Sequence, residues 1–183
     1  MRVTPRRLAD KLMEIGFNGF IAHLPNRVFG KWRPAALRFM GAQVAPGVKV
    51  SNRIKVLGAR HLVIEDSVAI ANSVILDARG GLTIKRGALV GFESVLISYT
   101  HAWPDPSRPV HKQGTVSAPI VLGQNTWIGA RVIVLPGTTI GDSTVVGAAS
   151  VVSGDIEPMS VASGNPARVI SARRDRSTDS SEA

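Results

Sequence analysis

Four histidines and no cysteine limit the chemistry open to this chain. Without thiols there is no disulfide framework and no thiolate metal site. Acid–base work therefore falls chiefly to imidazole and carboxylate groups. Of His23, His61, His101 and His111, His101 differs by position. It comes just after the apolar pair Leu96-Ile97 and opens the polar stretch SYTHAWPDPSRPVHKQGTVSAP at residues 98–119. Regular structure can hold an imidazole there while solvent and ligand still reach it. Imidazole titrates near neutrality, so it can take a proton from a hydroxyl as that hydroxyl attacks a carbonyl. An alcohol is a poor nucleophile until that proton has somewhere to go. Tyr99 and Trp103 flank His101 and offer flat faces for a sugar ring. His111, in mid-loop, is a further candidate for contact with an acceptor.

The elements that must position these side chains repeat every six residues. Leu122, Ile128, Val134, Ile140, Val146 and Val152 keep that spacing, and Gly123, Gly129, Gly141 and Gly147 follow four of them. Thr126, Val132, Thr138, Thr144 and Ser150 fall four places after the first five aliphatics. A period of six is neither helical nor simple strand alternation. It marks a parallel β-helix, in which three strand-and-bend units close one triangular coil. The aliphatic points inward and stacks on its equivalents above and below. The small residue lies near a corner, and glycine lets successive coils approach closely. One coil cannot bury its apolar side alone, so several must stack.

The same phase reads back through Val44, Val50, Val56, Ile64, Ile70, Leu76, Ile84, Val90 and Leu96, with slips of two residues before Ile64 and before Ile84. The slips, which include Arg60-His61 and Gly80-Gly81, read as bulges at corners. The break at 98–119 reads as a loop leaving one face, often the functional one in repeat proteins. The chain thus divides into a helical segment 1–43, a β-helix of about five coils over 44–170 with the loop 98–119, and a tail 171–183 expected to be disordered.

Leu8, Leu12 and Ile15 recur at helical spacing, as do Phe17, Phe20, Ile21 and Leu24, so residues 4–24 read as a helix with Thr4-Pro5 at its start. Gly16 and Gly19 weaken it. A second helix is expected from about Arg27 to Met40, interrupted near Pro34, with His23 and Trp32 as packing residues. These helices are expected to cap the prism or pack on a neighbouring subunit. Net charge is +9, and residues 1–40 carry eight Lys/Arg against two acids. A basic and apolar surface suits peripheral membrane contact through residues 1–40. No nucleic-acid module and no basic run interleaved with aromatics is present, so nucleic acid is not an expected partner. The first thirty residues contain Asp10 and Glu14 and no long apolar run, and no stretch suits a bilayer span. A cytoplasmic protein is expected.

Residues 44–170, with the loop motif Thr100-His101-Ala102-Trp103-Pro104-Asp105-Pro106 and the later Trp127-Ile128-Gly129, resemble the hexapeptide-repeat acyltransferases. The N-terminal helical segment makes the resemblance strongest to those that O-acetylate sugars, of the colanic-acid, maltose and galactoside type. The resemblance implies a left-handed β-helix, although the general preference for right-handed crossovers points the other way. It implies direct transfer of an acetyl group from acetyl-coenzyme A to a hydroxyl of a sugar or glycan intermediate, with His101 as general base. It further implies that Trp127, Gly129, Ala130, Gly147 and Ala148 line the coenzyme A groove, with Arg168 near its phosphates. A lysine that many members carry after the last coil is replaced here by Ser153-Gly154. Asn72 or Ser73 corresponds to a polar position that touches the acceptor, with Asp77, Tyr99, Trp103 and Asp105 as further acceptor candidates. An N–H near Gly129 is a candidate oxyanion donor. A homotrimer is implied, and no metal. N-acetylation of an amino sugar and a non-enzymatic β-helix scaffold are the alternatives. A hydratase like the γ-carbonic anhydrases would need three histidines on facing strands, and only His101 is suitably placed.

Overall fold

The computed structural model describes residues 5–25 and 30–174. Short strands appear wherever the six-residue period runs. The first coil is β1 (Gln43–Val44), β2 (Lys49–Val50) and β3 (Lys55–Leu57). The second is β4 (Leu62–Ile64), β5 (Ala69–Ile70) and β6 (Ile75–Asp77), and the third is β7 (Leu82–Ile84), β8 (Leu89–Val90) and β9 (Val95–Ile97). A hairpin of β10 (Tyr99–His101) and β11 (Thr115–Ser117) then interrupts the winding. The fourth coil is β12 (Ile120–Leu122), β13 (Trp127–Ile128) and β14 (Ile133–Val134), and the fifth is β15 (Thr139–Ile140), β16 (Val145–Val146) and β17 (Val151–Val152). A sixth coil starts at Ile156, bridged to Ile140, and ends in the antiparallel pair β18 (Ser160–Gly164) and β19 (Ala167–Ala172).

Three parallel sheets follow from this winding. The first face orders β1-β4-β7-β12-β15, the second β19-β18-β16-β13-β8-β5-β2, and the third β17-β14-β9-β6-β3. Every repeat aliphatic from Val44 to Val152 is buried, and so are Thr126, Val132, Thr138, Thr144 and Ser150. Each aliphatic contributes about 1.5–3 kcal/mol by leaving water. The glycine after it matters for a second reason. A Cβ on Gly129 would stand 2.7 Å from Ala148 N and Val146 O, and one on Gly91 would stand 2.6 Å from Gly129 C and O. The coils are therefore spaced for a hydrogen atom at these sites.

The corner between first and second faces stacks left-handed residues at Ser67, Asn125, Ser143 and Met159. The corner between second and third faces stacks Arg53, Ser73, Glu93, Arg131 and Ala149. The third corner, from third face back to first, is irregular. The 3-10 turn Ala59–His61, the turn Ala78–Gly81 and the hairpin β10–β11 all lie there. Both period slips and the long insertion thus fall on one edge of the prism.

Helix α1 (Pro5–Gly19) packs along that edge. The Asn18 side chain donates to Val56 O (2.8 Å) and accepts from Val56 N (2.9 Å), occupying an edge site of the first coil. Glu14 Oε1 accepts from the N–H groups of Gly58 (2.7 Å) and Ala59 (3.4 Å). Asp10 takes a bidentate pair from Arg60, at 2.8 and 2.6 Å. After α1 comes a 3-10 turn at Ile21–His23 and then α2 (Trp32–Phe39). Pro34 does not interrupt α2. It lies in the first turn, where a missing N–H costs nothing. Thr4 and Arg27 lie outside the described residues. His23 and Trp32 are exposed. The residue that closes the prism is instead Arg33, fully buried, with its guanidinium donating to Val50 O (3.3 Å) and Leu24 O. Burial lowers its pKa from the ordinary arginine value.

Ordered structure passes the expected start of the tail. β19 runs to Ala172, and Arg173 Nη1 donates to Ser143 O (3.0 Å) and Asn125 O (3.3 Å). The remaining tail positions from 175 lie outside the described residues. No helix among the described residues is long and apolar enough to cross a membrane.

Candidate active site

His101 is the last residue of β10, exposed, and paired across the hairpin with Thr115. Its root is tightly built. Ser98 N donates to Asp77 O (3.0 Å), Ser98 Oγ donates to the same oxygen (2.6 Å) and accepts from Gly80 N (2.8 Å), and Ala118 N donates to Ser98 O (3.0 Å). These bonds fix both hairpin strands to the second and third coils, three residues from the imidazole. Strand alternation puts Tyr99 and His101 on one side of the hairpin. The Arg79 guanidinium lies over the Tyr99 ring, 3.8 Å from its centroid. Asp77, almost fully buried, holds Arg79 through Nε (2.9 Å) and Nη2 (2.5 Å) and raises the Arg79 pKa above its ordinary value.

Behind this hairpin lies a cleft of about 720 Å³ between α1 and the irregular corner, walled by Asp10, Glu14, Arg60, His61, Arg79 and Tyr99 among others. Thr115, directly across from His101, also lines it. The expected acceptor residues divide among three places. Tyr99 lines this cleft, and the Asp77 carboxylate stands behind it, committed to Arg79. Trp103 and Asp105 lie further out on the loop, and Trp103 is exposed. Asp105 organises the loop itself. Its Oδ1 accepts from Ser107 N (2.9 Å) and Ser107 Oγ (2.6 Å), which lowers its pKa. Gln113 ties Asp105 N and O to Arg108 O. Asn72 and Ser73 lie elsewhere, at the corner between second and third faces, where Ser73 is left-handed.

That second corner carries a second cleft, of about 550 Å³, running off the second face. Trp127, Gly129, Ala130, Gly147 and Ala148 all line it, beside Leu89 and Phe92. Five positions from three different hexapeptides therefore meet in one groove. Small Ala71, Ala130 and Ala148 leave room along its edge, while Trp127 and Phe92 form an apolar wall. The Gly129 N–H is spent on Val146 O (2.8 Å) within the coil ladder, so it is not a donor to a ligand. Arg168 stands on the outer strand of the same face, registered against Ser163, whose Oγ would meet a Cβ on Gly147 at 2.7 Å. Its Nη1 donates to Ala167 O (2.9 Å), and its exposed guanidinium sits at the C-terminal end of the groove's face. Arg131, paired with Glu93 at 2.6 Å, adds a cation at the corner. Among the described residues no group of three or more His, Asp or Glu side chains could hold a metal ion.

Residues 119–154 match the family model described as bacterial transferase hexapeptide (six repeats). The chain is 32% identical over 147 residues to the putative colanic acid biosynthesis acetyltransferase WcaF of Escherichia coli K12, covering 80% of this chain and 78% of that one. It belongs to the hexapeptide-repeat acetyltransferases. A solved family structure, a galactoside acetyltransferase in complex with coenzyme A, superposes with a TM-score of 0.68 at 30% identity, covering 93% of this chain and 82% of that one. The fold also matches a hexapeptide-repeat acetyltransferase of Vibrio cholerae complexed with acetyl-coenzyme A, with a TM-score of 0.85, 24% identity and coverage of 94% and 92%. Among the described residues of this acetyltransferase, the long insertion into the winding lies at the irregular corner.

Two features were not foreseen from sequence: the cleft formed with α1, and the Gly80–Ser98 lock. The signal for the first was present in the two period slips, which share an edge with the long loop. No sequence signal marks Asp10 and Glu14 as reaching the prism.

Proposed function

We propose that this acetyltransferase moves an acetyl group from acetyl-coenzyme A to a hydroxyl of a sugar or glycan intermediate, with His101 as general base. The observation that carries the reading is the pairing of an exposed imidazole on a locked hairpin with a small-residue groove on the same prism. The groove suits a slender pantetheine arm, with the exposed guanidinium of Arg168 available to its phosphates. The donor supplies an activated acyl carbon. His101 takes the proton of the acceptor hydroxyl as its oxygen bonds that carbon, and returns it to the sulfur as the C–S bond breaks. The names of the relatives, colanic acid and galactoside acetyltransferases, favour a sugar hydroxyl. A cytoplasmic location goes with a thioester donor.

The hairpin and the groove stand at opposite edges of the third face of one chain. A homotrimer resolves this, with His101 of one copy beside the groove, Asn72 and Ser73 of the next. Above the exposed Lys55, the outward residues of the third face, Ile75, Val95, Ile133 and Val151, are apolar and only half-buried, which supports a covering partner. The test is a free-thiol assay with acetyl-coenzyme A against a panel of sugars and amino sugars. His101→Ala is expected to keep the fold and lower turnover about 10²–10⁴-fold. Wild-type turnover in that variant removes the mechanism.

A further inference from the structure

Helix α1 faces the prism with a mixed side, on which Phe17 is buried in the core and Met13 packs against it. Asp10, Glu14 and Asn18 are engaged with Arg60, Gly58, Ala59 and Val56. Leu8, Leu12 and Ile15, spaced by four and three residues, share the opposite side and are 53%, 60% and 68% exposed. Gly16 and Gly19 leave that side open, with nothing within 4 Å of a Cβ built on either. The apolar surface continues across Gly16 to α2, because a small cleft between the helices is lined by Met13, Gly16, Ile21, Ala36 and Phe39, and Phe39 is 79% exposed. An ordinary surface helix keeps its outer side polar.

The charges identify the occupant. Residues 1–40 hold eight Lys/Arg and only two acids. Both acids, Asp10 and Glu14, are turned to the prism and engaged there. The outer side is therefore apolar. Of the described cations in the segment, Arg33 is buried and Arg38 is bonded to Val44 O and Ala45 O, while Lys11 and Lys31 are exposed, with no acid on the outer side to offset them. A second copy seated on this face would bring together two chains that each carry net charge +9. An anionic bilayer satisfies both features: its interface takes up leucine, isoleucine and phenylalanine side chains, and its headgroups attract lysine and arginine.

We propose that the outward face of α1, with Phe39, seats this protein on anionic membrane surfaces. The test is co-sedimentation of the full-length protein with phosphatidylglycerol/phosphatidylethanolamine vesicles and, separately, with phosphatidylcholine vesicles. Wild type is expected to bind the anionic vesicles and to be released by high salt. Leu12→Glu/Ile15→Glu, with an unchanged melting curve, is expected to partition on the order of a hundredfold less. If the double variant does not fold, Leu12→Ser/Ile15→Ser and Phe39→Ser serve, with a loss of about tenfold each. Sedimentation velocity separates the rival occupant. A variant that changes the oligomeric state overturns the proposal and makes the face a subunit interface. Wild type that ignores anionic vesicles, or binds neutral ones equally well, also overturns it.

Discussion

Gly80 tests whether the hairpin root sets the position of His101. A Cβ at residue 80 would lie 2.1 Å from Ser98 O and 3.0 Å from both Ala118 N and Ser117 Cβ. Ordinary contact begins near 3.4 Å, so the root must open by roughly 1 Å or more. None of the three neighbours can yield like a flexible side-chain tip, because Ser98 and Ala118 present backbone atoms bonded to each other at 3.0 Å. Gly80→Ala must therefore displace β10 or β11. The atoms nearest the new methyl belong to the hairpin root, so the cost to stability is that of local overpacking, about 1–3 kcal/mol. Turnover should suffer more. A displacement of this size at a general base costs about 10²-fold in rate. The measurement is kcat by thiol release with saturating acetyl-coenzyme A, alongside a thermal melt, with Gly16→Ala, which meets nothing within 4 Å, as control. Gly80→Ala with wild-type kcat would refute the claim that the Ser98 lock positions the base.

Thr138 is fully buried and its hydroxyl finds no partner among the described residues. Thr138→Val should stabilise by about 1 kcal/mol in urea unfolding, whereas Thr126→Val, which loses a 3.0 Å bond to Gly123 O, should destabilise. Ala149 is exposed at φ 60°, so Ala149→Gly should raise stability by about 0.5–1 kcal/mol, since relief of the left-handed cost exceeds the entropy of glycine. The Asp105 carboxyl is held below its ordinary value of 3.8 by the Ser107 hydroxyl and amide. Its support of the loop is thus complete above that value and lost as pH falls through the lower folded one, and the Ser107 amide resonance should titrate with a midpoint below 3.8. A midpoint at or above 3.8 would contradict the Ser107 bonds.

The repeat was legible because each side of the prism core takes one inward aliphatic at a fixed register, with a second buried residue four places on. Stacking then imposes the period on the sequence from Val44 to Val152. The groove residues Trp127, Gly129, Ala130, Gly147 and Ala148 were named by the family resemblance, and coil register brings them together as neighbours. The loop containing His101 showed itself as a break in the period. Three things needed the tertiary structure. Pairing decisions such as Asp77 with Arg79, or Asp105 with Ser107, depend on distances that no spacing encodes, and they engage carboxylates that the sequence offers as ligands. The orientation of α1 was also hidden. The stripe Leu8, Leu12 and Ile15, read alone, belongs inside, but burial of Phe17 together with the hydrogen bonds of Asp10, Glu14 and Asn18 to the open edge of the first coils turns it outward. Finally, the repeat assigns Asn72 and His101 to different corners only once the strands are wound, which separates along the prism's girth what lies close along the chain.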